Sequence, residues 1–108
     1  MKGCVMRVME EMQAHAGEAA QFLKGLASPH RLMILCQLAE GEKSVSTLIE
    51  ATGLAQTSMS QHLAKLRQEG LVEYRRDHRT LYYAIVHPAV LRVMRVMHEE
   101  FCEKNRRI

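Results

Sequence analysis

The chain has 108 residues, 47% of them hydrophobic and 25% charged, with a net charge of +3; this mix is that of a folded domain rather than a disordered one, and the length leaves room for one domain with one core. Three cysteines without a CxxC pair exclude a disulfide framework. Charges at Arg7, Glu10 and Glu11 argue against a signal peptide, and no stretch approaches the ~20 apolar residues of a membrane span, so the expected location is the cytosol.

The elements follow a regular punctuation of glycine and proline. A first helix is expected from about Val5 to Leu26, with Met9, Met12, Ala16, Ala19, Ala20, Leu23 and Leu26 spaced by three and four. A second starts at Ser28, an N-cap, with Pro29 in the first helical position, where its missing N–H costs nothing. Leu32, Leu35, Cys36, Leu38 and Ala39 form its expected inner face, and Gly41 ends it. A short third helix runs from about Ser46 to Thr52. Thr47 and Glu50 have capping-box spacing, with Ser46 as the alternative cap, and Gly53 ends the helix. A fourth, from about Thr57 to Glu69, turns Met59, Leu63 and Leu66 inward and ends at Gly70. Two alternating runs, Leu71–Arg76 and Thr80–Val86, flank Asp77-His78-Arg79 and read as a β-hairpin. Pro88 opens a fifth helix carrying Val90, Leu91, Met94, Met97, Phe101 and Cys102.

The order is helix–helix–helix–helix–hairpin–helix, and residues 1–108 are expected to form a single winged helix-turn-helix domain, mainly α with a β-hairpin wing. In such a unit the second helix of the pair enters the major groove with its N-terminal residues facing base edges. That face offers Gln56, Thr57, Ser58, Ser60, Gln61, His62 and Lys65, a set of amides and short hydroxyls suited to bases and phosphates. Arg75, Arg76 and Arg79 cluster at the hairpin tip and fit phosphate neutralisation or minor-groove insertion. The charge is uneven in the same sense. Residues 1–64 hold 5 basic and 6 acidic side chains (net −1), and residues 65–95 hold 7 and 3 (net +4). The plainer alternatives are a solvated helix face and a hairpin kept from edge aggregation by charge.

Two runs then resemble the ArsR/SmtB family of bacterial winged-helix repressors. Ala27-Ser28-Pro29-His30-Arg31-Leu32-Met33-Ile34-Leu35 resembles that family's second helix. Thr57-Ser58-Met59-Ser60-Gln61-His62-Leu63-Ala64-Lys65-Leu66-Arg67-Gln68-Glu69-Gly70-Leu71-Val72 resembles its recognition helix running into the wing. The likeness covers about residues 18 to 103, with Gln61 where many members have Arg. It implies a homodimer built from the first and fifth helices, bound to a pseudo-palindromic double-stranded operator. Five of the eight methionines (Met6, Met9, Met12, Met94 and Met97) lie on those two helices, and flexible Met suits an adaptable apolar contact. Plain core filling is the alternative for any one of them.

The family divides by what it senses. The cysteines of its third-helix metal motif fall on Ser44 and Ser46, poor ligands for soft metals. Of its fifth-helix zinc ligands, His87 and His98 match, but Ile85 and Phe101 stand at the other two positions, leaving a tight site incomplete. His87 and His98 are therefore weak metal candidates, and no cofactor is implied. Cys36 and Cys102 resemble the dithiol members, the persulfide-responsive BigR and SqrR kind and the related HlyU regulators. That resemblance implies that reactive sulfur species or an oxidant link Cys36 to Cys102 and release DNA. A direct disulfide needs Cα atoms about 4.4–6.8 Å apart, and a bridge with extra sulfur spans more. Lys104 and Arg106 are expected to lower the pKa of Cys102 and a helix C-terminus to raise it. Buried core cysteine is the alternative for Cys36 alone, and Cys4 is expected to be dispensable. Competing functions are a metal sensor using His87 and His98, a counter-silencing activator and, from another class, a helical protein-interaction dimer. An enzyme is not expected, because no nucleophile–base constellation or phosphate loop is present.

Overall fold

The computed structural model describes residues 2–103, in the order α1 (Lys2–Leu26), α2 (Pro29–Ala39), β1 (Lys43–Ser44), α3 (Val45–Thr52), α4 (Gln56–Gln68), β2 (Val72–Asp77), β3 (Thr80–Ile85) and α5 (Pro88–His98). A π-helical turn, Glu99–Glu103, continues α5.

The expected N-cap of α2 is present: the Ser28 side chain accepts from the Arg31 N–H and Pro29 occupies the first turn. At α3 the cap differs from expectation. Ser44, not Ser46, accepts the Thr47 N–H at 3.2 Å, and the Thr47/Glu50 box is not used, because the chain arrives from a strand that places Ser44 one residue before Val45. Gly53 closes α3 with φ 74°, a left-handed position that glycine takes without steric cost.

The strand missing from the sequence reading is β1. Its two residues pair antiparallel with β3, giving a three-stranded sheet in the order β1-β3-β2. In the hairpin, Asp77 faces Thr80, so the connection is two residues, His78 and Arg79. His78 takes a positive φ of 57° to close it.

The core lies where α2, α3, α4, the hairpin and α5 converge. Ile34, Leu35, Leu48, Met59, Leu63, Leu66, Val72 and Val90 are fully buried there. Met59, Leu63 and Leu66 fix which side of α4 faces inward, and so which side is left for solvent. On α2 the inner face is Ile34, Leu35 and Leu38. Cys36 and Ala39, expected inside, are exposed, because the buried stripe is centred one residue earlier.

The radius of gyration, 16.5 Å, exceeds the roughly 13 Å of a compact domain this long. The cause is α1, which joins the core through Leu26 and partly through Phe22. Val8, Met9, Met12 and Leu23 are each more than half exposed. Met94 and Met97 behave differently from Met9 and Met12: Met94 is buried and Met97 half-buried, turned toward α2. Met94 thus belongs to the protomer's core, and Met97 lines an open cleft between α5 and α2. Met6, the side chain of Cys4, Lys104 and Arg106 lie outside the residues whose surroundings are described.

Candidate nucleic-acid interface and thiol cleft

Helix α4 presents Gln56, Thr57, Ser60, Gln61 and Lys65 to solvent, with Ser58 and His62 half-buried. No acidic side chain stands in its first turn, and its N-cap, Ala55, makes no side-chain hydrogen bond. The first amides of the helix therefore stay open to a phosphate oxygen. His62 stacks against His30 at the start of α2, ring centroids 5.6 Å apart. Burial first, then Arg31 and His30, holds its pKa below the ordinary imidazole value. The neutral ring keeps one donor and one acceptor.

The three wing arginines separate by strand alternation. Arg75 faces Tyr82 and Arg76 faces Leu81 across the ladder, so Arg75 and Arg76 lie on opposite faces of the hairpin. Arg76 shares the face of Tyr74 and Tyr83, and Tyr83 is in the core. Arg75 turns the other way and is held there. Its Nε and Nη2 donate to the two Glu42 oxygens at 2.9 and 2.8 Å, and its guanidinium lies 4.5 Å over the Tyr82 ring. Arg67 repeats the arrangement at the other end of α4, with Nε 2.7 Å from Glu73 and the guanidinium 4.4 Å over Tyr74. Its hydrogen bond holds the Glu73 carboxyl below the usual carboxylate range. Arg79 has no such carboxylate partner among the described residues. It lines a crevice of about 300 Å³ with Ser46, Gln56 and Ser60, between the wing tip and the first turns of α4. The fold thus brings Arg79 beside the first turns of α4 and ties Arg75 to the α2–β1 loop. Glu42 as its partner is not legible in the sequence, because 33 residues separate them.

Cys36 and Cys102 line the same cleft of about 430 Å³ between α2 and the end of α5. Both are free thiols and both are exposed. Burial of its sulfur against the cleft wall, then Cys102, then Glu40, pushes the Cys36 thiol up. Cys102 sits in the π turn. The wider turn sets its angle around the helix, a feature that sequence periodicity does not encode.

The two weak metal candidates are apart in role. His87 Nδ1 accepts the Ala89 N–H at 3.2 Å, capping α5, and its ring packs on Phe22. His98 lines the thiol cleft. Among the described residues no three His, Cys, Asp or Glu side chains gather as a metal site, and no helix is long and apolar enough to cross a membrane.

Residues 28–74 match the model for the bacterial regulatory proteins of the arsR family. Over 105 residues the chain is 36% identical to the transcriptional activator HlyU of Vibrio cholerae serotype O1, spanning 97% of this chain and 96% of that protein. The structure of reduced HlyU from Vibrio cholerae superposes with a TM-score of 0.83 at 36% identity, covering 87% of this chain and 99% of that one. The transcriptional repressor BigR from Xylella fastidiosa superposes with a TM-score of 0.82 at 37% identity, covering 87% and 96%.

Proposed function

The chain belongs to the bacterial ArsR family of transcription regulators, and from that premise we propose that it is a cytoplasmic homodimeric repressor whose operator binding is released when Cys36 and Cys102 are linked. The whole chain acts as one DNA-binding domain with terminal dimerisation helices. Gln56, Thr57, Ser58, Ser60, Gln61, His62 and Lys65 meet the major groove, and Arg76 and Arg79 meet the backbone or minor groove. Arg75 supports the wing from behind. The dimer forms through α1 and the outer side of α5, where Val8, Met9, Met12, Leu91 and Val96 are exposed. Met9→Glu and Met12→Glu together are expected to yield monomers in sedimentation, and an unchanged dimer would exclude α1.

The observation behind the thiol reading is that Cys36 and Cys102, with 65 residues between them, share one cleft. The likeness to a protein studied in a form called reduced supports it. A thiolate attacks an electrophilic sulfur and the second thiol closes the bridge. The link ties α2, which packs on α3 and contacts α4 through His30, to α5. It thereby biases the spacing of the two recognition helices.

Intact mass and operator affinity of the reduced protein after anaerobic treatment with an organic persulfide test this. A crosslink and lost binding are expected, both absent in Cys36→Ser and Cys102→Ser. Unchanged binding with a crosslink formed would refute the switch. A second reading, activation by displacing a silencing protein, is favoured by one fact, the likeness to a named activator. A reporter with and without the silencer separates the two.

A further inference from the structure

Resting on the sulfur-sensing reading, we propose that the thiol cleft selects uncharged, apolar carriers of sulfane sulfur, dialkyl polysulfanes, over charged ones.

The cleft's walls carry the argument. Leu32 and Met33 come from α2, Met94 and Met97 from α5, and Phe101 from the π turn. No Asp, Glu, Lys or Arg lines it among the described residues, and His98 is its single ring nitrogen donor or acceptor. At about 430 Å³ it admits a short sulfur chain with small alkyl ends. Three thioethers suit contact with polarisable sulfur. The same two thiols also face a second cleft, of about 630 Å³, edged by Glu40 and Arg95. That side is where a charged carrier would approach, and it presents a carboxylate as well as a guanidinium. A carrier bearing several carboxylates gains no uniform complement there, and it must shed hydration to enter the apolar side. Each methylene buried in the apolar side tightens binding about fourfold.

The chemistry balances with a trisulfane, R–S–S–S–R. A Cys102 thiolate attacks the central sulfur; one S–S bond breaks, and RS⁻ leaves to take up a proton. Cys36, deprotonated in turn, attacks the same sulfur and expels the second RS⁻. Two cysteine thiols are oxidised to a Cys102–S–S–S–Cys36 bridge, and the trisulfane is reduced to two RSH. Burial, then Cys102 and Glu40, holds the Cys36 proton, which suits Cys36 to the second step.

Diallyl trisulfide and glutathione trisulfide test the assignment, because they share the reactive S–S–S unit and differ in charge. The reduced full chain is treated with each, and the bridged mass, one sulfur gained and two hydrogens lost, is followed in time. Each rate is divided by that carrier's rate with a free cysteine derivative, which removes intrinsic reactivity. A normalised preference of about tenfold or more for diallyl trisulfide is expected. In Met33→Glu, on the exposed side of α2, the preference should fall toward one. Equal normalised rates in the native chain would overturn the selectivity and leave the sensing reading intact. An undiminished preference in a folded Met33→Glu would place selection outside this cleft. No bridge with either carrier would overturn both.

Discussion

Replacing Arg79 and Arg75 separately by Ala is expected to give two different salt dependences, although both are exposed arginines of one hairpin. Each phosphate neutralised by a protein cation contributes about 0.9 to the slope of log affinity against log salt. Arg79 lines the crevice beside Gln56 and Ser60, so under the proposed function its two copies in the dimer should account for about 1.8 of that slope. For a fourfold rise in salt, the two contacts make up a roughly 12-fold loss of affinity, which the Arg79→Ala dimer no longer suffers. Arg75 is already neutralised by both oxygens of Glu42 and faces away from Arg76. Arg75→Ala should therefore weaken binding at every salt concentration, by loosening the wing, and leave the slope unchanged. Arg75→Lys should not restore it, since an ammonium cannot make the bidentate contact. Glu42→Gln, which frees the guanidinium, should keep or steepen the slope. Fluorescence anisotropy on an operator duplex between about 50 and 200 mM salt covers the useful range. If Arg75→Ala flattens the slope as much as Arg79→Ala does, Arg75 contacts phosphate and the reasoning fails.

Three further outcomes are expected. Leu66, fully buried on the inner side of α4, should cost about 2–5 kcal/mol when cut to Ala, read as a lower denaturant midpoint; a change near zero would mean that α4 is not seated as described. Glu40→Gln removes one of the groups pushing the Cys36 thiol up, so alkylation of Cys36 near neutral pH should quicken, and an unchanged rate would leave burial and Cys102 as its only causes. Because the His62 pKa is lowered in the fold, the unfolded chain takes up that proton first, and stability should fall as pH drops from about 6.5 toward the lowered folded value; His62→Gln should shrink that loss, and an identical pH profile would remove His62 as its source.

Much of this architecture is legible in the chain because it is written in local signals. Ser28-Pro29 starts α2, Gly53 and Gly70 mark the stops, and period-two alternation marks the hairpin. The inward face of α4 follows from Met59, Leu63 and Leu66 alone. Features that depend on distant partners are not written this way. Two residues, Lys43 and Ser44, are too few to show strand periodicity, and they form β1 because β3 offers a free edge. The exposure of Cys36 turns on a one-residue shift of the buried stripe. The three wing arginines look alike in sequence, and only the register Arg75–Tyr82 and Arg76–Leu81 assigns them to faces.

Helix α2 is the element on which these observations converge. At its start, His30 touches His62 of the recognition helix. In its middle, Cys36 opens on the thiol cleft. Beyond its end, Glu42 grips Arg75 of the wing. Under the proposed switch, a bridge from Cys36 to Cys102 restrains α2 against α5 between those two contacts. A displacement of α2 then reaches the recognition helix and the wing together, without a separate path to each. A coupling of about 1.4 kcal/mol between bridge and DNA corresponds to a tenfold change in affinity, within the ordinary range of linked sites. The Glu42 clamp divides that coupling into two parts. In Glu42→Gln the recognition helix still feels the bridge and the wing does not, so the affinity ratio of reduced to bridged protein should shrink without vanishing. A ratio equal to that of the native chain would mean that the wing takes no part in the response.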